Sequence, residues 1–215
     1  MRTENVFELR ESARRFADRL GEFTSWLIET VSDAAAVRDI AQRSYWHPNG
    51  FAKLVLSSAP DVKLRLHVWP AGEARLGESN PHSHRWQFAS TVVVGSGLHM
   101  VEYAETASAG KAYERYRYGS DPGDPAALLA DGPTRLVRVA APHVHRGQIY
   151  SCDTDIVHTV APISDDLTAT LVVQGPQRTP TTVVYRSPGL GDDQPNGVVT
   201  ESDVRALVGA VVDAA

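Results

Sequence analysis

The chain has 215 residues, 42% of them hydrophobic and 22% charged, which is globular usage and excludes a largely disordered chain. At 23.4 kDa it can bury one sizeable core. A net charge of −5 speaks against a nucleic-acid partner, because a phosphate-binding face needs clustered Lys and Arg. Residues 91–94 show the scale of the apolar runs, which are far too short to cross a bilayer. Residues 1–5 lead straight into charged, helix-like sequence, without the apolar stretch of a secretion signal. Cys152 is the single cysteine, so neither an internal disulfide nor a multi-cysteine metal site is available. The expectation is a cytoplasmic protein with no membrane partner.

The first forty-odd residues read as helix. Val6, Leu9, Ala13, Phe16 and Leu20 recur at three- and four-residue spacing, with Gly21 as the expected stop. A second segment over about residues 32–44 has Ser32 as its expected N-cap. The turn His47-Pro48-Asn49-Gly50 closes this region. From Phe51 the period changes to two: Leu54, Leu56, Leu64, Leu66 and Val68 alternate with Lys53, Lys63, Arg65 and His67. Further strands are expected near residues 84–94, 98–103, 112–118, 135–140, 148–152, 169–174 and 181–185. Turn residues separate them, as at Gly95-Ser96-Gly97 and Asp131-Gly132-Pro133. Residues 119–125 and 187–197 read as surface loops. A last helix over residues 201–212 has Thr200 and Asp203 as a capping-box pair. This order predicts a mostly-β sandwich or barrel with N-terminal helices and a short C-terminal helix. The expected segments are a helical 1–50, a β domain over 51–186, and a loop and helix over 187–215.

Two of the histidine pairs have the His-x-His form, His82-Ser83-His84 and His143-Val144-His145. On a strand such a pair shares one face and can bind one metal, although pairs of this kind also arise on surfaces. Spacing separates the two. His84 is followed after three residues by Phe88 and after six more by Gly95, with Gly77 upstream. Further on, Gly147, Asp153, Asp155, His158 and Pro162 stand at successive intervals of five, one, two and three residues.

These two spacings resemble the two motifs of the cupin superfamily, Gly-x5-His-x-His-x3–4-Glu-x6-Gly and Gly-x5-Pro-x-Gly-x2-His-x3-Asn. Phe88 replaces the glutamate, Gly77 is one residue too close, and Asp153, Asp155 and Pro162 depart in identity. The resemblance covers about residues 51–186 and implies a double-stranded β-helix, the cupin jelly roll, with a metal in the barrel mouth. It implies His82, His84 and His158 as ligands. Imidazole suits iron, zinc, copper and nickel, and three neutral ligands leave the full charge of a divalent ion to attract an anionic substrate. Iron(II) is the expected cofactor, with zinc, nickel or manganese as alternatives, in an oxygenase or dioxygenase of a small anionic molecule. A non-redox isomerase, lyase or hydrolase, or a binding cupin without catalysis, is the alternative. The outline is similar to the three-histidine thiol dioxygenases, but their Ser-x-His-x-Tyr relay is absent. Leu171-Val172-Val173-Gln174-Gly175 stands at that offset.

Strand parity with His84 puts Trp86, Phe88, Ser90 and Val92 on the inward wall. Arg65 is a candidate clamp for a substrate carboxylate, or else a solvated strand arginine. Tyr150 and Gln174 are candidate catalytic residues, or else ordinary barrel residues. Gln87 points away by parity but is adjacent to the glutamate position, and His145 is the other residue weighed as an approach to the metal. Residues 111–118 carry Tyr113, Tyr116 and Tyr118 among Lys111, Arg115 and Arg117, and read as a basic lid or an edge strand. Cys152 reads as an unactivated strand residue. Metal loss is expected below about pH 6, where free histidine protonates. The apolar face of the first helix is expected to cover the barrel of its own chain or of a partner in a homodimer.

Overall fold

The computed structural model of the chain describes residues 5–72, 80–118, 128–189 and 196–215. Three helices come first: α1 Val6–Asp18, α2 Leu20–Ser32 and α3 Ala34–Arg43. The strands follow as β1 Tyr45–His47, β2 Phe51–Ser58, β3 Lys63–Trp69, β4 Trp86–Val94, β5 Leu98–Thr106, β6 Lys111–Tyr118 and β7 Leu128–Ala140. They continue as β8 His143–Val144, β9 Ile149–Cys152, β10 Val157–Pro162, β11 Thr168–Gln177, β12 Thr182–Arg186 and β13 Gly197–Val198. Helix α4, Glu201–Ala214, closes the chain.

Caps set the helix boundaries. The Asn5 side chain accepts from the N–H groups of Phe7 and Glu8, and Glu8 accepts in return from the Asn5 N–H. The expected stop at Gly21 does not occur. The break falls at Arg19, whose N–H reaches back to the carbonyls of Arg15 and Phe16. Gly21 lies in the first turn of α2, where its carbonyl accepts from the Thr24 and Ser25 hydroxyls. Ser32 is likewise not a cap. It ends α2 with its hydroxyl on the Ile28 carbonyl, and Asp33 caps α3 by accepting from the Ala35 N–H. At α4 the expected capping box of Thr200 and Asp203 is present.

The strands form two antiparallel sheets, the mostly-β arrangement expected. One runs β13-β1-β2-β3-β11-β4-β9 and the other β10-β5-β7-β6-β12, with β8 beside β5. Alternation gives the first sheet two apolar faces. Leu54, Leu66, Val68, Val93, Ala169 and Leu171 point outward, into one core with Phe23, Leu27, Val37, Ile40, Val204 and Val208 of the helices. Leu9 and Ala13 of α1 pack on Ala89 and Val173, so α1 covers β4 and β11 of its own chain. Inward, Phe51, Trp69, Phe88, Val92, Cys152 and Val172 meet Leu98, Met100 and Val144 of the second sheet. This second core fills part of the space between the sheets, and the site occupies the rest.

Two strand expectations change. Asp131-Gly132-Pro133 is not a turn between strands but a bulge inside β7. Its register with β6 shifts between Arg115 and Tyr116, and Gly132 takes φ +97, which favours glycine. Strand β6 is neither a lid nor an edge, since it lies between β7 and β12. Its arginines are neutralised locally: Arg115 pairs with Glu105 and Asp131, and Arg117 with Asp131. The expected loop over residues 119–125, the loop residues 190–195, and Gly77 lie outside the described residues. Among the described residues no helix is long and apolar enough to cross a membrane.

Leu9 tests the seating of α1, because it is fully buried between that helix and the sheet. Leu9→Ala is expected to lower the unfolding free energy in urea by about 2–5 kcal/mol. A loss below ~1 kcal/mol would mean that α1 does not hold to β4 and β11.

Candidate metal centre

The site begins with a backbone pairing. The N–H of His82 donates to the His158 carbonyl at 3.0 Å, and the N–H of His158 donates to the His82 carbonyl at 2.9 Å. Residues that exchange both hydrogen bonds across an antiparallel pair carry their side chains on the same face. His84, two residues on, returns to that face. The segment is held on its other side as well, by bridging of His82 to Val184 and by a Ser83 N–H to Val183 carbonyl bond of 3.0 Å. So His82 and His84 lie on an irregular extended segment clamped between β10 and β12, just before β4, rather than on a regular strand.

The three imidazoles converge. Their donor nitrogens lie within 4.8 Å of one another, and Nε2 of His84 is 3.1 Å from Nε2 of His158. Two nitrogens bound to one ion at ~2.1 Å in adjacent positions stand about 3.0–3.4 Å apart, so this pair already has ligand spacing. Nδ1 of His82 lies 2.9 Å from the Asn80 carbonyl. A carbonyl only accepts, so Nδ1 carries the proton and Nε2 offers its lone pair. Nδ1 of His158 is held by the Cys152 sulfur at 2.9 Å, which leaves its Nε2 toward the centre. Burial holds all three rings in the neutral form that ligation requires. His158, only 3% exposed, is pushed down to about 3 by burial and then by the charge of His82. His84 is lowered well below the usual value, by burial first and then by His82, His158, Lys53 and Arg65.

The wall beside the histidines matches the inward parity. The Phe88 ring is 5.1 Å from the His84 ring and 6.0 Å from that of His158, and Trp86 is 6.0 Å from His84. Arg65, Val172, Ser90 and Tyr150 face one another across four strands. The Arg65 guanidinium stands 5.1 Å over the Trp86 ring. Gln174 is opposite Phe88, is 4% exposed, and its Oε1 has no hydrogen-bond partner among the described residues. Burial raises the Tyr150 hydroxyl, which keeps it protonated. Gln87 turns away and donates to Asp153 at 2.9 Å. His143 and His145 are exposed on the far side of the second sheet edge, beside His99 and Ser96.

Several residues of the lumen escaped the sequence reading. Lys53 lies opposite His67 and donates to the Tyr45 hydroxyl at 2.9 Å. Its pKa is lowered to about 7 by burial and by Arg65. His67 and Thr170 face one another in the same row, and neither His67 Nε2 nor Thr170 Oγ1 has a partner among the described residues. Cys152 is not an isolated strand residue, since it contacts His158. Burial and nearby carboxylates, Glu102 first, push its thiol up, so it stays a neutral thiol. Glu102 itself stands opposite His158 in the β5–β10 register and so starts from the same face. Its signal in the sequence was the alternation Leu98, Met100, Glu102.

No family model matches the chain, and no curated protein matches it. Solved structures overlap it in part. Hydroxypropylphosphonic acid epoxidase from S. wedmorenis is 10% identical over 63% of this chain and 56% of that one, with a TM-score of 0.36. An oxalate oxidase is 16% identical over 79% of this chain and 76% of that one, at 0.33. A cupin-2 domain protein of Rhodospirillum rubrum is 15% identical over 79% and 80%, at 0.25. The chain spans about half the length of the epoxidase.

Burial changes the expected pH response. In the unfolded chain these rings take protons as pH falls below about 6.5, while in the folded chain His158 and His47 resist down to about 3. Stability is therefore full above pH ~6.5 and is lost as pH falls toward 3. His47 stacks on Phe51 at 4.6 Å and is not one of the three converging rings, so it isolates the folding part. The urea midpoint of the wild type is expected to drop between pH 7 and 5, and that of His47→Gln to drop measurably less. Equal drops would contradict the assignment of His47 as a half-buried ring held neutral.

Proposed function

We propose that the chain is a metal-dependent cupin enzyme acting on a small anionic substrate, with His82, His84 and His158 as the protein ligands. The observation that carries this is the convergence of three neutral imidazoles, with no carboxylate among them, near the half-buried basic side chains Lys53 and Arg65. Three protein ligands leave open positions, the pattern of a catalytic rather than a structural site. A divalent ion there would keep its full charge and supply Lewis acidity or, as iron(II), oxidation by O₂. Iron(II) oxygenase chemistry is the preferred reading, because three protein ligands would leave a six-coordinate ion room for a substrate anion and O₂ together. Zinc, nickel or manganese would support a non-redox isomerase, lyase or hydrolase instead.

The chain's own residues have definable tasks in this reading. Asn80 and Cys152 orient the rings of His82 and His158 through their outer nitrogens. Arg65, fixed over Trp86, attracts the substrate anion toward the histidines. Phe88 and Trp86 exclude water on one side, which strengthens every charge interaction within. Tyr150 and Ser90 are placed to hold a proton at their hydroxyls, and Gln174 to fix a polar group of the substrate.

Replacing His158 by Ala is expected to remove at least nine-tenths of the bound metal, measured by plasma emission on purified protein, and to abolish substrate-dependent oxygen uptake. His145→Ala is expected to leave metal content at the wild-type level. Full metal occupancy in the His158→Ala protein would overturn the ligand assignment. Metal without oxygen uptake would turn the reading to the non-redox alternative.

A further inference from the structure

The lumen carries a charge excess that the three-histidine centre does not explain. Lys53 and Arg65 extend from neighbouring strands, β2 and β3, toward the same interior face as His67. Neither has an ion pair among the described residues. Lys53 has the neutral Tyr45 hydroxyl at 2.9 Å and the Tyr45 ring at 5.2 Å. Arg65 has the Trp86 ring, and its Nε is buried without a partner. Both side chains are half-buried, and taking a charge even partly from water without a counter-charge is costly. Here two lie close enough that the charge of Arg65 depresses Lys53, so they repel each other as well. Glu102, the carboxylate on the lumen-facing parity of β5, stands opposite His158 instead.

Unsatisfied polar atoms surround the two cations. His67 Nε2, Thr170 Oγ1 and Gln174 Oε1 have no partner among the described residues, and Thr170 and Gln174 are almost fully buried. Buried polar groups left open in this number are the lining of a polar ligand's place. The Arg65 guanidinium stands 5.1 Å over the Trp86 ring, which lies 6.0 Å from the His84 ring, so that place adjoins the three histidines.

We propose that Lys53, with Tyr45, and Arg65 form a two-cation site that takes a small organic dianion, so that the substrate class of the centre is a molecule with two negative charges. This rests on the reading of the lumen as a substrate site and adds the second charge to it. A monoanion would neutralise one cation and leave the other half-buried and unpaired. A dianion such as a short dicarboxylate satisfies both, with Arg65 offering a planar fork and Lys53 a point charge.

The test is calorimetric titration of the full-length protein as purified with malonate and with acetate, with metal content measured on the same samples. Malonate is expected to bind at least tenfold more tightly than acetate. In Lys53→Met and in Arg65→Met that advantage is expected to fall below threefold, with metal content unchanged. Lys53→Met is expected to melt at or above the wild-type temperature without ligand, since it removes an unpaired, half-buried charge. Equal binding of malonate and acetate by the wild type overturns the proposal, and so does an advantage that survives Lys53→Met. Should that variant not fold, Arg65→Met carries the same comparison. Protein without metal that still prefers malonate through Lys53 would refute the three-histidine centre and leave the dianion site standing. Protein with metal and no preference would do the reverse.

Discussion

The reciprocal hydrogen bonds between His82 and His158 are the constraint on which the centre depends. They join two segments 76 positions apart in the chain and fix their register to the residue. A slip of one residue would turn His82 and His84 to the opposite face from His158. The same pairing places the first segment at the corner where the chain leaves the second sheet and enters β4 of the first. There, an imidazole from each side can reach a common point without a long side chain. Bonds from Ser83 to β12 hold the other edge of the segment, so the corner is secured on both sides.

The helices make a polar interior affordable. The outer face of the first sheet is buried against α1 to α4, which supplies a large apolar core away from the site. The lumen core of Phe51, Trp69, Val92, Leu98, Met100 and Val144 fills part of the space between the sheets. The rest holds Lys53, Arg65, His67 and the three converging histidines, with His67 5.0 Å from the Phe51 ring. Burial acts on these groups in one direction, lowering every basic pKa. Neutral rings suit a metal, while two cations without counter-charges suit an anion. The two requirements meet at His84, whose ring feels both.

Much of the fold was legible because period and spacing are local properties. The alternation from Leu54 to Val68, the Thr200–Asp203 cap and the inward parity of Trp86, Phe88 and Ser90 needed no tertiary information. The His82, His84 and His158 set was legible only through the resemblance of its spacing to the cupin motifs, since His82 and His84 precede β4 on an irregular segment whose facing cannot be counted along a strand. What could not be read depends on contacts between distant segments. Lys53 looks like any solvated lysine on an alternating strand until β1 and β3 enclose it. His67 alternates correctly, yet nothing local says that its side of β3 is the lumen. The contact of Cys152 with His158 needs the turn from β9 to β10. Gly21 misled because its carbonyl is used by Thr24 and Ser25 inside a new helix turn, and Asp131-Gly132-Pro133 because a bulge and a turn share the same residues.

The central claim is that three neutral imidazoles, brought together by the His82–His158 pairing, bind one divalent ion without a sulfur or protein carboxylate ligand. X-ray absorption at the metal edge of the loaded, full-length protein tests it directly. The account predicts a first shell of nitrogen or oxygen neighbours at about 2.0–2.2 Å with the outer-shell scattering of three imidazoles. A sulfur neighbour at ~2.3 Å, which would bring Cys152 into the shell, or outer-shell scattering from fewer than two imidazoles, would contradict it.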